Sequence, residues 1–376
     1  MQKDIIITFG GDSPEHDVSI ITALQAWQHV DKAKYKTHLI YFDRENKPYY
    51  FKKLKTKKDF YKTQRILITF GKDKKGGYFR TNNLFSSKIY PEANLMCFHG
   101  GTGESGSLAG LFEILNIPFS SSSLESSALC MNKIISKKIV SESDVNIVES
   151  VYKTRAEIQK NSLGATTDIV SKLKLPLIVK PAHLGSSVGI KVARTQLELE
   201  KALKETSYLD DQVLIEKYLE NIVEYNISIF RYKSEIQHSE IERPKPKDEI
   251  LSFTDKYRSG QKKTGSNAGM ASLSRELPAQ ISDEMKQKIR FVGEKIYNLL
   301  QCKGLVRIDF IYHNEILYFN EINPIPGSLS YYLWEPLGIQ YSELLDMMIE
   351  NAIWESQNKV RVKYESSDIV KTFIVN

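Results

Sequence analysis

At 376 residues the chain exceeds what one hydrophobic core usually organises, so two or three domains are expected. Hydrophobic residues make up 41% and charged residues 26%, ordinary for a globular chain that buries a sizeable core, and no stretch approaches the ~20 apolar residues that cross a bilayer. Much of the net charge of +6 sits in Lys52–Arg65 (KKLKTKKDFYKTQR), where cations come singly or in pairs among scattered aromatics without a nucleic-acid module's pattern, so a solvated face is expected and no nucleic-acid or membrane partner.

Asp4–Phe9 (DIIITF) has the β-branched pattern of a buried strand and ends in Gly10-Gly11. The apolar run stops too early for a signal peptide's core, which with the missing membrane span predicts a cytoplasmic protein. Ser13-Pro14-Glu15 reads as an N-cap, a first-turn proline and an acid, opening a helix through Val18, Ile21, Leu24 and Val30. Strand, glycine turn and helix start form the opening unit of an open parallel α/β sheet, with the helix N-terminus facing a ligand. Residues 45–90 are lysine- and aromatic-rich with poor periodicity and read as an elaboration of this domain. Leu95–His99 is the next strand, entering the glycine-rich turn HGGTGESG, and Leu108–Leu115 is a helix. A domain boundary falls near the serine-rich 120–127.

Ser127–Val140 reads as one helix, Pro176–Pro181 as a short buried strand, Val213–Leu219 as another, and Glu224–Tyr232 as an alternating strand. Glu242–Arg275 is long and poor in apolar residues, as lids are. Ser282 opens an amphipathic helix through Met285, Ile289, Val292, Ile296 and Leu299, and Gly304–Tyr312 with Ile316–Ile322 forms a hairpin. The expected division is 1–125, 126–220 and 221–376. Cys97, Cys130 and Cys302 show no CxxC spacing and read as buried reduced thiols.

Leu305–Gly327 carries most of the chemistry. Asp309, Glu321 and Asn323 are oxygen donors close to the guanidinium of Arg307, a set that suits magnesium bound together with phosphate. A three-residue turn, His313–Glu315, would place Arg307 opposite Glu321 and gather Arg307, Asp309 and Glu321 on one face; a two-residue turn would scatter them. Asn-Pro-Ile-Pro-Gly then fixes the following loop. Upstream, Lys180 ends a strand before the small-residue loop AHLGSSVG, which offers an ammonium and backbone N–H groups, Ser187 included, to a phosphate without being a Walker loop.

The segments FGGDSPEHDVS, FHGGTGESGSLAGLFEILNIP, SALCMNK, PLIVKPAHLGSSVG, VLIEKYL, LVRIDF and FNEINPIPG occur in the order found in D-alanine–D-alanine ligases, which the chain resembles from residue 9 to about 327. The resemblance implies an α/β, three-domain ATP-grasp fold and an ATP-dependent ligase that joins two amino acids through an acyl phosphate for peptidoglycan. It implies that Lys133 and Lys180 contact ATP phosphates, with Ser187 in the phosphate loop, Glu216, Lys217, Tyr218 and Leu219 in the adenine hinge, and Glu224 at the ribose. Two magnesium ions, which manganese could replace, would be held by Asp309, Glu321 and Asn323. Glu15 would hold the first amino acid's ammonium, linked to Ser186 and Tyr257. Arg307 and backbone amides near Gly327 would stabilise the tetrahedral intermediate, His99 and Glu104 would lie beside the amino-acid pocket, and Lys256 and Tyr257 would belong to the lid. A homodimer is the family's common state.

Two departures stand out. Asn132 occupies a position where the family prefers an acid. After Gly327 the acceptor-binding serine's position falls on Tyr332, with Ser330 two residues early, so the acceptor is open: D-alanine, another amino acid, a hydroxy acid or a larger amine. A nucleotide-binding regulatory protein without catalysis is the remaining alternative, opposed by the presence of Arg307, Asp309, Glu321 and Asn323.

Overall fold

The computed structural model describes residues 2–52, 54–83, 86–245, 275–360 and 373–374. In its first sheet, β1 (Lys3–Gly10), β2 (Tyr35–Phe42), β3 (Pro48–Phe51), β4 (Arg65–Asp73), β5 (Gly76–Thr81) and β6 (Ala93–Met96) run in the order β5-β4-β3-β2-β1-β6. β1 is parallel to both neighbours, β2 and β6, which is why its apolar run is continuous rather than alternating. The poorly periodic 45–90 stretch adds β3, β4 and β5 as antiparallel strands, so the sheet is mixed. Lys52, Lys55, Lys58 and Lys62 are exposed there, as a solvated face requires.

β1 ends at Gly10, whose φ is +98° and where a Cβ would lie 2.0 Å from the Phe42 carbonyl oxygen, so only glycine fits. The helix begins later than the Ser13-Pro14 signal suggests, at His16, and runs to His29. Ser13 does not cap it: its Oγ accepts from the Glu15 N–H at 3.0 Å, and the Glu15 side chain makes no cap bond, leaving its carboxylate for other partners.

The expected single helix over 127–140 is two, Leu124–Met131 and Lys133–Ser141. Asn132 is extended between them, and its Oδ1 accepts from the N–H groups of Ile134 and Ile135, so a strong N-cap residue restarts the helix just before Lys133.

β7 (Asn146–Ile147) belongs to the third sheet. The second sheet holds β8 (Ser150–Thr154), β9 (Leu177–Pro181), β10 (Lys191–Ala193) and β11 (Gln212–Lys217), antiparallel in the order β10-β9-β11-β8. The helices Ser162–Leu173 and Gln196–Ser207 pack on it through Ile169, Leu173, Leu199 and Leu203. In the third sheet β12 (Val223–Tyr232), β13 (Glu235–Pro244), β14 (Arg275–Glu276), β15 (Val306–His313) and β16 (Ile316–Asn323) take the order β14-β13-β12-β15-β16-β7. Ser282 caps the helix Asp283–Leu299, and its apolar stripe buries Ile289, Ile296 and Tyr297 with Ile227, Ile229 and Ile308 of the sheet. Each such isoleucine contributes about 1.5–3 kcal/mol over an exposed one.

Leu344, Leu345, Met348 and Ile349 of the helix Tyr341–Asn358 share a core with β1 and β6, so the chain returns to the first sheet. The three cysteines are buried and unbonded, with the Sγ atoms of Cys130 and Cys302 3.6 Å apart. Among the described residues no helix is long and apolar enough to cross a membrane.

Candidate active site

The β15–β16 hairpin gathers the expected residues by a different route. Its turn has two residues, Asn314 and Glu315, with φ of 48° and 63°, and His313 pairs with Ile316. That turn alone would set Asp309 opposite Asn320 and separate the polar groups. A β-bulge between Asp309 and Phe310 moves the register by one, so Asp309 faces Glu321 and Arg307 faces Asn323. All four side chains therefore share one face, although Arg307 pairs with Asn323 rather than Glu321. The extra residue, Asn320, accepts from Lys180 Nζ at 3.2 Å.

Arg307 is buried and grips Asp309 with two bonds, Nε to Oδ1 at 2.6 Å and Nη2 to Oδ2 at 2.7 Å. Burial works against its charge, but Asp309 more than offsets this and holds the guanidinium protonated. Asn323 Nδ2 lies 3.4 Å from Asp309 Oδ2.

The lysines form a second group. Lys133, the first residue of its helix, donates from Nζ to the Leu184 carbonyl at 2.7 Å and stands 3.4 Å from Glu321 Oε2. Lys180 Nζ lies 2.6 Å from Glu216 Oε2, and Lys137 Nζ lies 2.9 Å from Glu216 Oε1. Burial raises the Glu216 pKa, yet the two lysines outweigh it and bring it down to about 2. Lys180 is raised, because Glu216 outweighs the burial that lowers it, while burial dominates at Lys137 and lowers it. Sequence reasoning missed Lys137 and Asn320. The spacing of Lys133 and Lys137 was the available signal, since residues four apart share a helix face.

A cleft between the second and third sheets is lined by Lys180, Ser187, Glu216, Lys217, Tyr218, Leu219 and Glu224, together with Asp309, Asn320 and Glu321. The expected phosphate, hinge and ribose residues are thus brought together. A smaller cavity adjoins it, lined by Glu15, His99, Glu104, Gly185, Ser186, Arg307, Asn323 and Gly327. The two cavities share Lys133 and Glu321.

In the smaller cavity the Ser186 hydroxyl donates to Glu15. Gly185 permits the approach, because a Cβ there would sit 2.6 Å from Glu15 Oε2. Glu104 accepts from the N–H groups of Gly100 at 2.6 Å and Ile325 at 3.2 Å. Burial, and then the neighbouring Glu15, push its pKa up to about 8. His99 pairs through Nε2 with Thr22 Oγ1 at 2.8 Å, and burial first, with Arg307 adding, lowers its pKa to about 4.

Neither residue expected at the acceptor lines this cavity. Ser330 is fully buried in a left-handed run, Ser328–Ser330, with φ near 50° throughout. Tyr332 is buried, and its hydroxyl donates to Glu242 Oε1 at 3.0 Å while its ring lies 4.1 Å from the Arg275 guanidinium. Glu242 also takes Arg275 Nη1 at 2.7 Å and Asn226 Nδ2 at 3.0 Å. The sequence showed Tyr332 but not this cluster, whose members come from three strands and the 3-10 segment Gly327–Leu333. Asp255, Lys256 and Tyr257, expected in the lid, lie outside the described residues.

Comparison with known proteins agrees with this geometry. The family model described as D-ala D-ala ligase N-terminus matches residues 4–122, and the one described as D-ala D-ala ligase C-terminus matches residues 139–350. A D-alanine–D-alanine ligase of Thermosipho africanus is 34% identical over 359 residues, covering 94% of each chain. Among solved structures, the VanG D-Ala:D-Ser ligase of Enterococcus faecalis superposes with a TM-score of 0.78 at 26% identity, over 94% of this chain and all (100%) of that one. A D-alanine–D-alanine ligase from Bacillus anthracis, complexed with ATP, gives 0.68 at 26% identity over 94% and 99% of the two chains.

Proposed function

Because the chain belongs to the D-alanine–D-alanine ligase family, we propose that it joins two molecules of D-alanine at the cost of ATP, supplying the dipeptide for peptidoglycan. The observation that carries this reading is the junction of the two cavities at Lys133 and Glu321, where a nucleotide's terminal phosphate and an amino acid's carboxylate would meet.

A carboxylate is a poor electrophile, so the donor carboxylate first attacks the terminal phosphorus of ATP, breaking its bond to the bridging oxygen and releasing ADP, and becomes an acyl phosphate. Lys133 and Lys180 would neutralise and align the transferred group. Asp309, Glu321 and Asn323, hard oxygen donors on one face of the hairpin, would hold magnesium, which when bound would neutralise phosphate charge. Glu15, oriented by Ser186, would hold the donor's ammonium. The acceptor's neutral amine then attacks the acyl carbon, and Arg307 with the Gly327 amide would stabilise the developing oxyanion before phosphate leaves. Water would hydrolyse the acyl phosphate, so the reaction calls for a lid, a role that falls to the chain between β13 and β14, with Lys256 and Tyr257, rather than to the whole of 242–275, whose ends are strand. We place the enzyme in the cytoplasm as a homodimer.

A second reading concerns the acceptor alone. Tyr332 stands at the acceptor serine's position with its hydroxyl committed to Glu242, which favours an acceptor other than D-alanine, D-serine among them. ATP-dependent phosphate release with D-alanine alone tests the first reading. A panel of D-serine, D-lactate and larger amines beside D-alanine tests the second, and absence of turnover with every acceptor would defeat both.

A further inference from the structure

The loop that follows β9 and contains His183, and the helix that begins at Lys133, are held together by a hydrogen-bond chain whose polarity is fixed at both ends. At one end, Asp210 is nearly buried; burial raises its pKa, but bonds from the His183 side chain and backbone more than offset this and keep it ionised. An ionised carboxylate only accepts, so His183 Nδ1, 3.0 Å from Asp210 Oδ1, carries a proton. At the other end, Asn132 Oδ1 accepts from the N–H groups of Ile134 and Ile135 at the helix start. That fixes the amide's orientation and leaves Nδ2 to donate to His183 Nε2 at 2.9 Å, with its second hydrogen directed to Gln212 Oε1 at 3.0 Å. Nε2 is therefore the acceptor nitrogen of a neutral ring.

We propose that His183 is a positioning residue for the phosphate loop, working as the Nδ1–H tautomer between Asp210 and Asn132; this rests on the nucleotide-binding reading of Lys133, Lys180 and the loop between Lys180 and Gly189. The chain ties the start of the loop to the helix that carries Lys133. Two further bonds run in the same direction: Lys133 N–H to the Ala182 carbonyl at 3.0 Å, and Lys133 Nζ to the Leu184 carbonyl at 2.7 Å. Asparagine at position 132 thereby acquires a physical reason. Aspartate would cap the helix equally well. It would also set a carboxylate against the lone pair of His183 Nε2, acceptor against acceptor. The residue types at 132 and 183 are matched to each other.

The test combines kinetics with a spectroscopic signature in the full-length protein at pH 8. Asn132→Asp, which keeps the cap, should raise KM for ATP about tenfold while kcat at saturating ATP changes less than about threefold, since bound nucleotide itself orders the loop. Asn132→Asp combined with His183→Gln, whose amide can donate to the new carboxylate, should recover most of that loss. Long-range 1H–15N correlation on histidine-labelled wild type should show the His183 proton on Nδ1. An unchanged KM in Asn132→Asp, a double variant no better than the single one, or a proton on Nε2 would each overturn the proposal. The NMR result stands apart from turnover, so a failure of the ligase reading would be recognised separately, by wild type that does not consume ATP.

Discussion

Lys133 Nζ stands 3.4 Å from Glu321 Oε2, and this pair belongs to both the amino-acid cavity and the nucleotide cleft. On the ligase reading the terminal phosphate and the donor carboxylate meet at that junction, and the Lys133 ammonium would align and neutralise the group as it is transferred. Its removal should therefore appear in turnover.

Lys133→Met is expected to lower kcat about 10²–10³-fold, the usual loss for one preorganised electrostatic group. Methionine keeps most of the apolar stem but removes the Nζ bond to the Leu184 carbonyl, so a stability loss of about 1–3 kcal/mol should accompany the change. Phosphate release at saturating ATP and D-alanine measures kcat; a loss under about threefold would remove Lys133 from the chemistry.

Glu216 lies between Lys137 and Lys180, and its replacement by glutamine leaves two buried ammonium groups facing a neutral amide. Breaking a buried pair in this way costs about 3–5 kcal/mol. The pH dependence has a definite sign. A carboxyl lowered to about 2 from an ordinary 4.5 contributes stability that is complete above 4.5 and lost as pH falls toward 2. Urea unfolding at several pH values should show that acid loss in wild type and a shallower one in Glu216→Gln.

These residues were not equally legible in the sequence. Asp309, Glu321 and Asn323 could be read as one oxygen cluster because their types and proximity are local properties. The route by which they meet could not. A two-residue turn and a bulge at Asn320 together restore the parity that a three-residue turn would have given, and nothing local marks the bulge; its side chain answers Lys180, which lies in another sheet. Likewise, the periodicity of 127–140 is helical throughout, and only the use of Asn132 as a cap breaks it. β1 and the helix Asp283–Leu299 were readable because burial alone dictates their patterns.

Glu104 offers a test in the opposite pH direction. Its pKa is raised to about 8 from an ordinary 4.5, so its contribution is full below 4.5 and declines as pH rises toward 8. His99, lowered to about 4 from 6.5, acts with the other sign, its contribution being lost as pH falls from 6.5 toward 4. Of these two groups, Glu104 is the one that acts between 6.5 and 8. Wild type should lose stability across that window, and Glu104→Gln, isosteric with the neutral acid, should not; parallel curves would show that Glu104 is already ionised.

The last prediction separates two roles of Tyr332. Its hydroxyl donates to Glu242, and its ring supports Arg275 at 4.1 Å, close enough to Arg307 for that charge to be felt. Tyr332→Phe removes only the bond, leaving Glu242 with Arg275 and Asn226, so a loss of up to about 1.5–3 kcal/mol in stability is expected, with D-alanine kinetics nearly unchanged. Tyr332→Ser removes the ring as well and lets Arg275 and Glu242 move beside Arg307. The KM for the second D-alanine should then shift about tenfold, with the KM for ATP unaltered, because the nucleotide cleft contains neither residue. Steady-state kinetics with ATP and D-alanine varied independently distinguishes the two variants. If Tyr332→Ser binds the second D-alanine as wild type does, the ring holds the fold together and does not shape the acceptor site.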